Sequence, residues 1–379
     1  MKIYLYRSQF PPKGDKINSG LSKAIDGLAS GLVKCGAEVT ILCEASADNE
    51  SCYQTPAGYV IRCFANPIQH RPSFQTSVGL KQYISQNLDS NSLVILNGIL
   101  HANVYAVSRL LRKRKIPYIL APHDVYHPNM FKKNPHLKWT YWYLLEKFLL
   151  KNALAIQLLE KKQSKWLNKL GVNQKTIEVP NGTYGDDIPS ESVLQWNVNK
   201  IPKIFYFGRI DSHHKGLDIL LDAFAQVSQT SNVQLTIQGP DCGDQSKLEK
   251  QADQLCLKNV SFIKPEYDKS ASLVIAYSDI FVLPSRFEGF GIAALEAMLA
   301  GRVLLVSQEA GIAPHVEKAG CGVVVAPEVS RIESGFLQLL KRRSEWREMG
   351  LRGRNYALEY LNWEKIASQA LEDYKLLVR

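Results

Sequence analysis

From end to end this chain alternates short β-branched and aromatic runs with longer stretches of helical periodicity, and few architectures accept that order. In the first half the expected strands are 2–6, 38–42, 93–96, 118–121, 155–159 and 176–180. In the second half they are 203–208, 233–239, 260–263, 280–284, 303–307 and 322–325. Continuous apolar strands with helices between them form parallel sheets covered on both faces. Between the halves, 181–202 is rich in Gly, Asp, Pro, Ser and Asn, has little periodicity and reads as a linker. At 379 residues two domains of ordinary size fit better than one. The expected class is α/β, with two doubly wound, Rossmann-like domains facing a central cleft and ligands at the carboxyl ends of the strands.

Composition narrows the function classes. Hydrophobic residues make up 45% and charged residues 22%, as in soluble globular proteins, so no large part is expected to be disordered. The apolar run at the N-terminus is too short for a signal peptide, and no stretch approaches the ~20 apolar residues of a membrane span. Seven scattered cysteines without a C-x-x-C pair suggest neither a zinc site nor a disulfide framework, and a reducing cytoplasm is the natural compartment. A net charge of +10 favours anionic partners: nucleic acid, an acidic membrane face or phosphorylated ligands. No recognition-helix, RRM or zinc-finger signature supports the first of these.

Two segments of the second half carry chemistry. "FGRIDSHHKG" follows the strand at 203–207 and puts Arg209 and Lys215 beyond its carboxyl end, where two cations either clamp a diphosphate or stay solvated. "FVLPSRFEGFGIAALEAMLAG" reads as strand, turn and helix, closed by Gly301. Ile292, Leu295 and Leu299 share one face of that helix. Gly289 and Gly291 allow close approach of a ligand, and the first helical N–H groups offer an anion site. Glu288 at the rim is placed to accept hydrogen bonds from sugar hydroxyls. Glu296, eight residues on and turned ~80° around the helix, reaches another part of the same ligand or pairs with a neighbouring Lys or Arg.

These segments, with "QGPD" and "SQEAGIAPHVEKAGCGVVVAP" in the same order, resemble the retaining nucleotide-sugar glycosyltransferases of glycosyltransferase family 4. Their fold is the two-domain GT-B architecture. The similarity is strong over 203–326 and thinner but collinear over the first half. It implies an acceptor-side domain at 1–182, completed by a C-terminal helix at about 362–379, and a nucleotide-sugar-binding domain at 183–361. It further implies that Glu288, with Gly289, Phe290 and Gly291, binds the donor sugar. Glu296, with Ile292 and Leu295, would bind the nucleoside, while Arg209 and Lys215 neutralise the diphosphate. His123, after the strand 118–121, matches a family histidine near the donor sugar and is the fourth residue, after Arg209, Lys215 and Glu288, expected to act in catalysis. Tyr126 and His127 are acceptor-side candidates, and Asn181 is read as structural. Lys264 and Pro265 line the base pocket by fold analogy, and Glu266 is placed to pair with a guanine edge. The first loop departs from the family's Gly-Gly pair by reading Ser19-Gly20, so phosphate contact there rests on Gly20 and the Ser19 hydroxyl.

No D-x-D triplet occurs, so no obligatory metal is expected. The expected reaction moves a hexose, glucose by preference, from a nucleotide diphosphate sugar (UDP first, GDP next) to a hydroxyl with retention. The family picture is a same-face attack in which the leaving phosphate takes the acceptor's proton. The acceptor is expected to be a glycan or lipid-linked glycan of exopolysaccharide or surface polysaccharide synthesis. The stretch 127–152, with "RLLRKRK" upstream, either packs as an ordinary amphipathic helix or lies on an anionic membrane at its inner face. The rival readings are a silent GT-B scaffold, a retaining phosphorylase or nucleotide-sugar hydrolase, and a dinucleotide-binding oxidoreductase, which lacks its G-x-G-x-x-G here.

Overall fold

The computed structural model describes residues 1–15, 17, 19–45, 50–66, 74–183, 188–196, 200–266 and 268–378. The chain divides into two compact units, Met1–Gly182 with Trp363–Arg379, and Thr183–Asn362.

The first unit holds an eight-stranded sheet of β1 (Lys2–Tyr6), β2 (Glu38–Ala45), β3 (Ser51–Gln54), β4 (Val60–Ala65), β5 (Ser92–Asn97), β6 (Tyr118–Ala121), β7 (Ile156–Leu158) and β8 (Thr176–Glu178). The order is β3-β4-β2-β1-β5-β6-β7-β8, parallel except for the edge pair β3–β4. Every residue of β5 and β6 is buried, as the unbroken apolar runs require. The connections include α1 (Gly20–Lys34), α2 (Val78–Asn87) and α3 (Ala102–Lys113). Then come α4 (Pro135–Tyr141), a π-helical turn at Trp142–Glu146, α5 (Lys147–Lys151) and α6 (Ser164–Lys169). β3 and β4 were not expected, because "SCYQTPAGYVIRCFA" mixes polar residues into both strands.

The second unit has the strand order β11-β10-β9-β12-β13-β14, all parallel, the doubly wound order of a dinucleotide-type fold. These strands are β9 (Lys203–Phe207), β10 (Gln234–Gln238), β11 (Val260–Ile263), β12 (Ile280–Leu283), β13 (Val303–Ser307) and β14 (Gly322–Val325). Its helices are α7 (Ser212–Lys215), α8 (Leu217–Thr230), α9 (Gln245–Gln254), α10 (Ala271–Ile275), α11 (Ile292–Leu299), α12 (Ala313–Ala319), α13 (Val329–Lys341) and α14 (Trp346–Tyr360). The strand order reverses between β9 and β12, and a crevice opens at such a reversal, at the carboxyl ends of the strands.

Much of the linker stretch is built into the second unit. Arg354 Nη2 donates to the Pro189 carbonyl at 2.6 Å, Arg302 Nη1 to Gln195 at 2.7 Å, and Trp196 Nε1 to Gly301 at 3.0 Å. α14 stops at Tyr360, and a separate helix, α15 (Trp363–Val378), closes the chain. α15 belongs to the first unit and packs on α1. Trp363 lies so close over Gly27 and Gly31 that a Cβ on Gly27 would sit 2.1 Å from the indole. At its far end Tyr374 donates to Gln157 Oε1 at 2.5 Å.

Candidate active site

In the second unit both expected segments end at the reversal point. Arg209 lies in the loop after β9 and is exposed. Its backbone carbonyl is held by the Tyr206 hydroxyl at 2.8 Å, and its guanidinium lies 3.4 Å from His214 Nδ1. Asp211 caps the short helix α7 by accepting from the His214 amide at 3.0 Å. α7 delivers Lys215 against Glu288, which follows β12, and the two form an ion pair with side chains only 12% and 13% exposed. Ser285 Oγ donates to the same carboxylate at 3.3 Å. Burial by itself pushes the Glu288 carboxyl up, but Lys215, His214 and the bonds from Lys215 and Ser285 outweigh it, so it is held below the usual range. His214 moves the other way. Burial, stronger than the pull of Glu288, takes it down to about 4, so its ring is neutral and stacks on Phe287 at 4.4 Å.

A clamp that the sequence did not reveal joins these two loops. Arg286 makes a bidentate pair with Asp218, both contacts at 2.7 Å, and donates to the Ser212 carbonyl at 2.7 Å. Its own amide donates to the His214 carbonyl at 3.0 Å. Fork-to-carboxylate pairing sets orientation as well as distance, so Arg286 fixes α7, and with it Lys215, on the β12 loop.

Around Glu288 the chain turns on Gly291, whose φ of +100° only glycine holds without strain. A Cβ there would lie 2.7 Å from Leu283 Cδ2. α11 begins at Ile292, so its first amides face the end of the turn. Of the expected nucleoside contacts, Glu296 and Leu295 are buried in α11, and Ile292 is half-buried. Phe290 turns its ring into the core, 5.8 Å from His315. Its side chain is therefore packing, and contact with a ligand from this position falls to the backbone. Gly289 is buried in the turn itself. Lys264 and Pro265 follow β11, where the Lys264 carbonyl accepts from Gln238 at 3.1 Å. Glu266 pairs with Lys269 at 2.9 Å.

In the first unit a second cluster sits at the carboxyl ends of β1, β5 and β6. His123 follows β6 with φ of +59°, an uncommon conformation for a residue with a side chain. Asn97, the last residue of β5, spends its amide protons on the Tyr6 and Ile95 carbonyls, both at 3.1 Å, so its Oδ1 is an acceptor. His123 Nε2 lies 2.7 Å from that oxygen and must donate, which leaves Nδ1 as the open acceptor. Burial, then the nearby Arg7, takes the His123 ring down to about 3, so it is neutral near pH 7. Burial and Arg7 lower His101 as well. Arg7 and Asn97 were missed, because a lone Arg or Asn at a strand end carries no pattern.

Gly20 opens α1, and Ser19 is its N-cap. The Ser19 hydroxyl accepts from the Ser22 amide at 3.1 Å and donates to the Ser22 hydroxyl at 2.7 Å, so it is already committed. Tyr126 and His127 are both buried. Tyr126 donates to Glu146 at 2.6 Å, and His127 Nδ1 accepts from the Asn129 amide at 3.1 Å. Asn181 is buried. Among the described residues no group of three or more His, Cys, Asp or Glu is gathered to hold a metal.

The chain matches two sequence families, one described as "Glycosyl transferase 4-like domain" over residues 19–182 and one as "Glycosyl transferases group 1" over 194–356. Phosphatidyl-myo-inositol mannosyltransferase of Mycobacterium leprae is 28% identical over 201 residues, 52% of this chain and 53% of that protein. The chain thus spans about half the length of the curated relatives it matches first. Sucrose-phosphate synthase of Thermosynechococcus elongatus has the same fold, with a TM-score of 0.78 at 20% identity over 99% of this chain and 98% of that one. HepE of Anabaena, solved in complex with UDP and glucose, superposes with a TM-score of 0.71 at 18% identity over 99% of each chain. Two family matches in their proper order, on two doubly wound units, establish that this chain belongs to the GT-B glycosyltransferases of the glycosyltransferase 4 type.

Proposed function

We propose that the protein transfers a hexose from a nucleotide diphosphate sugar to a hydroxyl group, keeping the anomeric configuration. The observation that carries this reading is the Lys215–Glu288 pair, fixed beside Arg209 at the reversal point of the second sheet. The chemical task is to stabilise a departing diphosphate next to an electron-poor sugar. Arg209, exposed and free of a carboxylate partner among the described residues, meets the diphosphate first. Lys215 has three N–H donors, so it can keep one on Glu288 and turn another to a phosphate oxygen. Glu288, ionised, accepts from sugar hydroxyls, and Gly291 and the first amides of α11 add donors without side-chain bulk. Glu296 takes the ribose, Lys264 and Pro265 the base, and Gly20 a phosphate contact. His123 presents Nδ1 to a sugar hydroxyl, since a neutral ring with Nε2–H committed to Asn97 is an acceptor, not an acid. No step calls for a metal ion.

The donor we favour is UDP-glucose, with GDP as the next base. Mannose is the second reading for the sugar, because a 28% identical relative is named a mannosyltransferase. The acceptor we propose is a glycan or lipid-linked glycan of surface polysaccharide synthesis, met at the inner face of a membrane. That relative's name contains a phosphatidylinositol, which supports the lipid-linked form.

The test is thermal unfolding with UDP, GDP and ADP, on the wild type and on Glu296→Ala. A nucleotide at about 100 times its dissociation constant adds about 2.7 kcal/mol. One nucleotide should stabilise the wild type, and the variant should lose most of that shift. Donor sugars of the identified base are then screened, and NMR of the product reads the anomeric configuration. Absence of any shift in a cooperatively folded protein would overturn the donor site. Release of free sugar without an acceptor would favour the hydrolase reading.

A further inference from the structure

At the amino end of β6, one strand length from His123, a pocket of about 570 Å³ opens on the first unit. Arg109, Arg112, Lys113 and Lys115 line it with Tyr118 and Asn152, and among the described residues no acid does. Among the described residues none of the four cations makes an ion pair. From 101 to 152 the chain carries ten Lys and Arg against two acids, Asp124 and Glu146, and Glu146 is buried. Attraction to the carbonyl end of α3 explains one or two cations there, but not four converging on a pocket. Lys115 is telling: it holds φ of +58° just past the end of α3, where glycine would avoid the strain.

The pocket continues into an apolar stripe. The Arg112 guanidinium lies 4.3 Å from the centre of the Phe148 ring, and Phe148 is 43% exposed. Leu144 and Leu137, on the preceding turns, are 68% and 63% exposed, and Tyr143 beside them 66%. The segment carrying them runs from the loop of His123 and Tyr126 down to the pocket at Asn152. Its inner face is fully used: Trp142 and Glu146 are buried, and Glu146 binds Tyr126 and the Leu100 amide. The stripe is therefore surplus to packing. A row of large apolar side chains edged by unpaired cations matches the interface of an anionic bilayer, where hydrocarbon and phosphate lie side by side.

We propose that this face docks on an anionic lipid bilayer, with a lipid phosphate in the Arg109–Arg112–Lys113–Lys115 pocket and Leu137, Leu144 and Phe148 in the acyl boundary. The site deepens the membrane-borne acceptor reading, yet it is tested without donor or acceptor, so the two can fail separately. The full chain is floated with phosphatidylcholine vesicles and with vesicles of phosphatidylcholine and phosphatidylglycerol. It should bind only the anionic vesicles, and less as salt rises. Each cation near the surface is worth about fivefold, so the triple variant Arg109→Gln, Lys113→Gln, Lys115→Gln should bind about a hundredfold more weakly. Leu144→Ser with Phe148→Ser should weaken binding by a route that salt does not mimic. Unchanged melting curves and unchanged nucleotide shifts show that the variants are folded. Failure of the wild type to bind, or equal binding by the triple variant, overturns the proposal. So does saturation of the pocket by inorganic phosphate in calorimetry while both vesicle types are ignored, which would assign it to a soluble phosphate instead.

Discussion

At the residue scale the Lys215–Glu288 pair carries two duties that can be separated. Each partner holds the other's charge out of water, so Lys215→Ala leaves a buried, uncompensated carboxylate and should cost about 3 kcal/mol in denaturant unfolding. The double variant Lys215→Ala, Glu288→Gln removes both charges and should recover most of that stability, while transfer stays down by about a hundredfold or more. Recovery of both together would mean the pair is structural only. The histidines make a second prediction. His123, His214 and His315 are lowered from 6.5 to about 3, 4 and 4, in each case first by burial. Below about pH 6.5 the unfolded chain takes up protons that the folded chain refuses, so stability is complete above that pH and falls as pH drops. Each ring contributes at most about 1.4 kcal/mol per pH unit. Glu146, raised by burial to about 7, works against this by taking up a proton in the same window. Three rings outweigh one carboxyl, so urea midpoints should fall between pH 7 and 5, and His214→Gln should flatten the slope. A midpoint unchanged over that window would contradict the buried neutral rings.

At the scale of elements, Gly291 connects the strand that ends near Glu288 to the helix that holds Glu296. Gly291→Ala meets both a forbidden φ and the Leu283 side chain. It should cost about 1–3 kcal/mol and weaken nucleotide binding, whereas Gly289→Ala tests the turn without that φ. This connection was legible, since glycine next to glutamate between an apolar strand and an apolar helix has few other uses. The central strands β12 and β13 of the second sheet were legible for a similar reason: every residue is buried, and each reads as an apolar run. The β3–β4 edge pair was not, because an edge strand is half-solvated and its apolar pattern is diluted. Arg286 and Asp218 stayed hidden for another reason. Nothing local marks a pairing between residues 68 apart, and the clamp exists only once α7 is folded onto the β12 loop. The contacts that hold Pro189 and Gln195 stayed hidden in the same way, since they come from Arg354 and Arg302, far along the chain.

For the whole molecule, the route of the chain decides which part can stand alone. The second unit is continuous, Thr183–Asn362, and contains the whole of its sheet. The first unit is interrupted and recovers α15 only after the chain has built the second. Gly27 and Gly31 of α1 form a notch that Trp363 fills, and Leu371, Ala370 and Tyr374 of α15 are buried along the same helix. Without α15 that face of α1 meets water, and exposing several large side chains at ~25 cal/mol per Å² exceeds the margin of a domain this size. A fragment of residues 183–362 should therefore unfold cooperatively and keep the nucleotide-induced thermal shift. A fragment of residues 1–182 should melt early and bind hydrophobic dye. Joining 363–379 to it through a flexible linker should restore a sharp transition, and Trp363→Ala in that joined chain should abolish the gain. If 1–182 melts as sharply without the helix, α15 contributes nothing essential to the first unit. Its return would then serve only to tie the two ends of the chain to one unit.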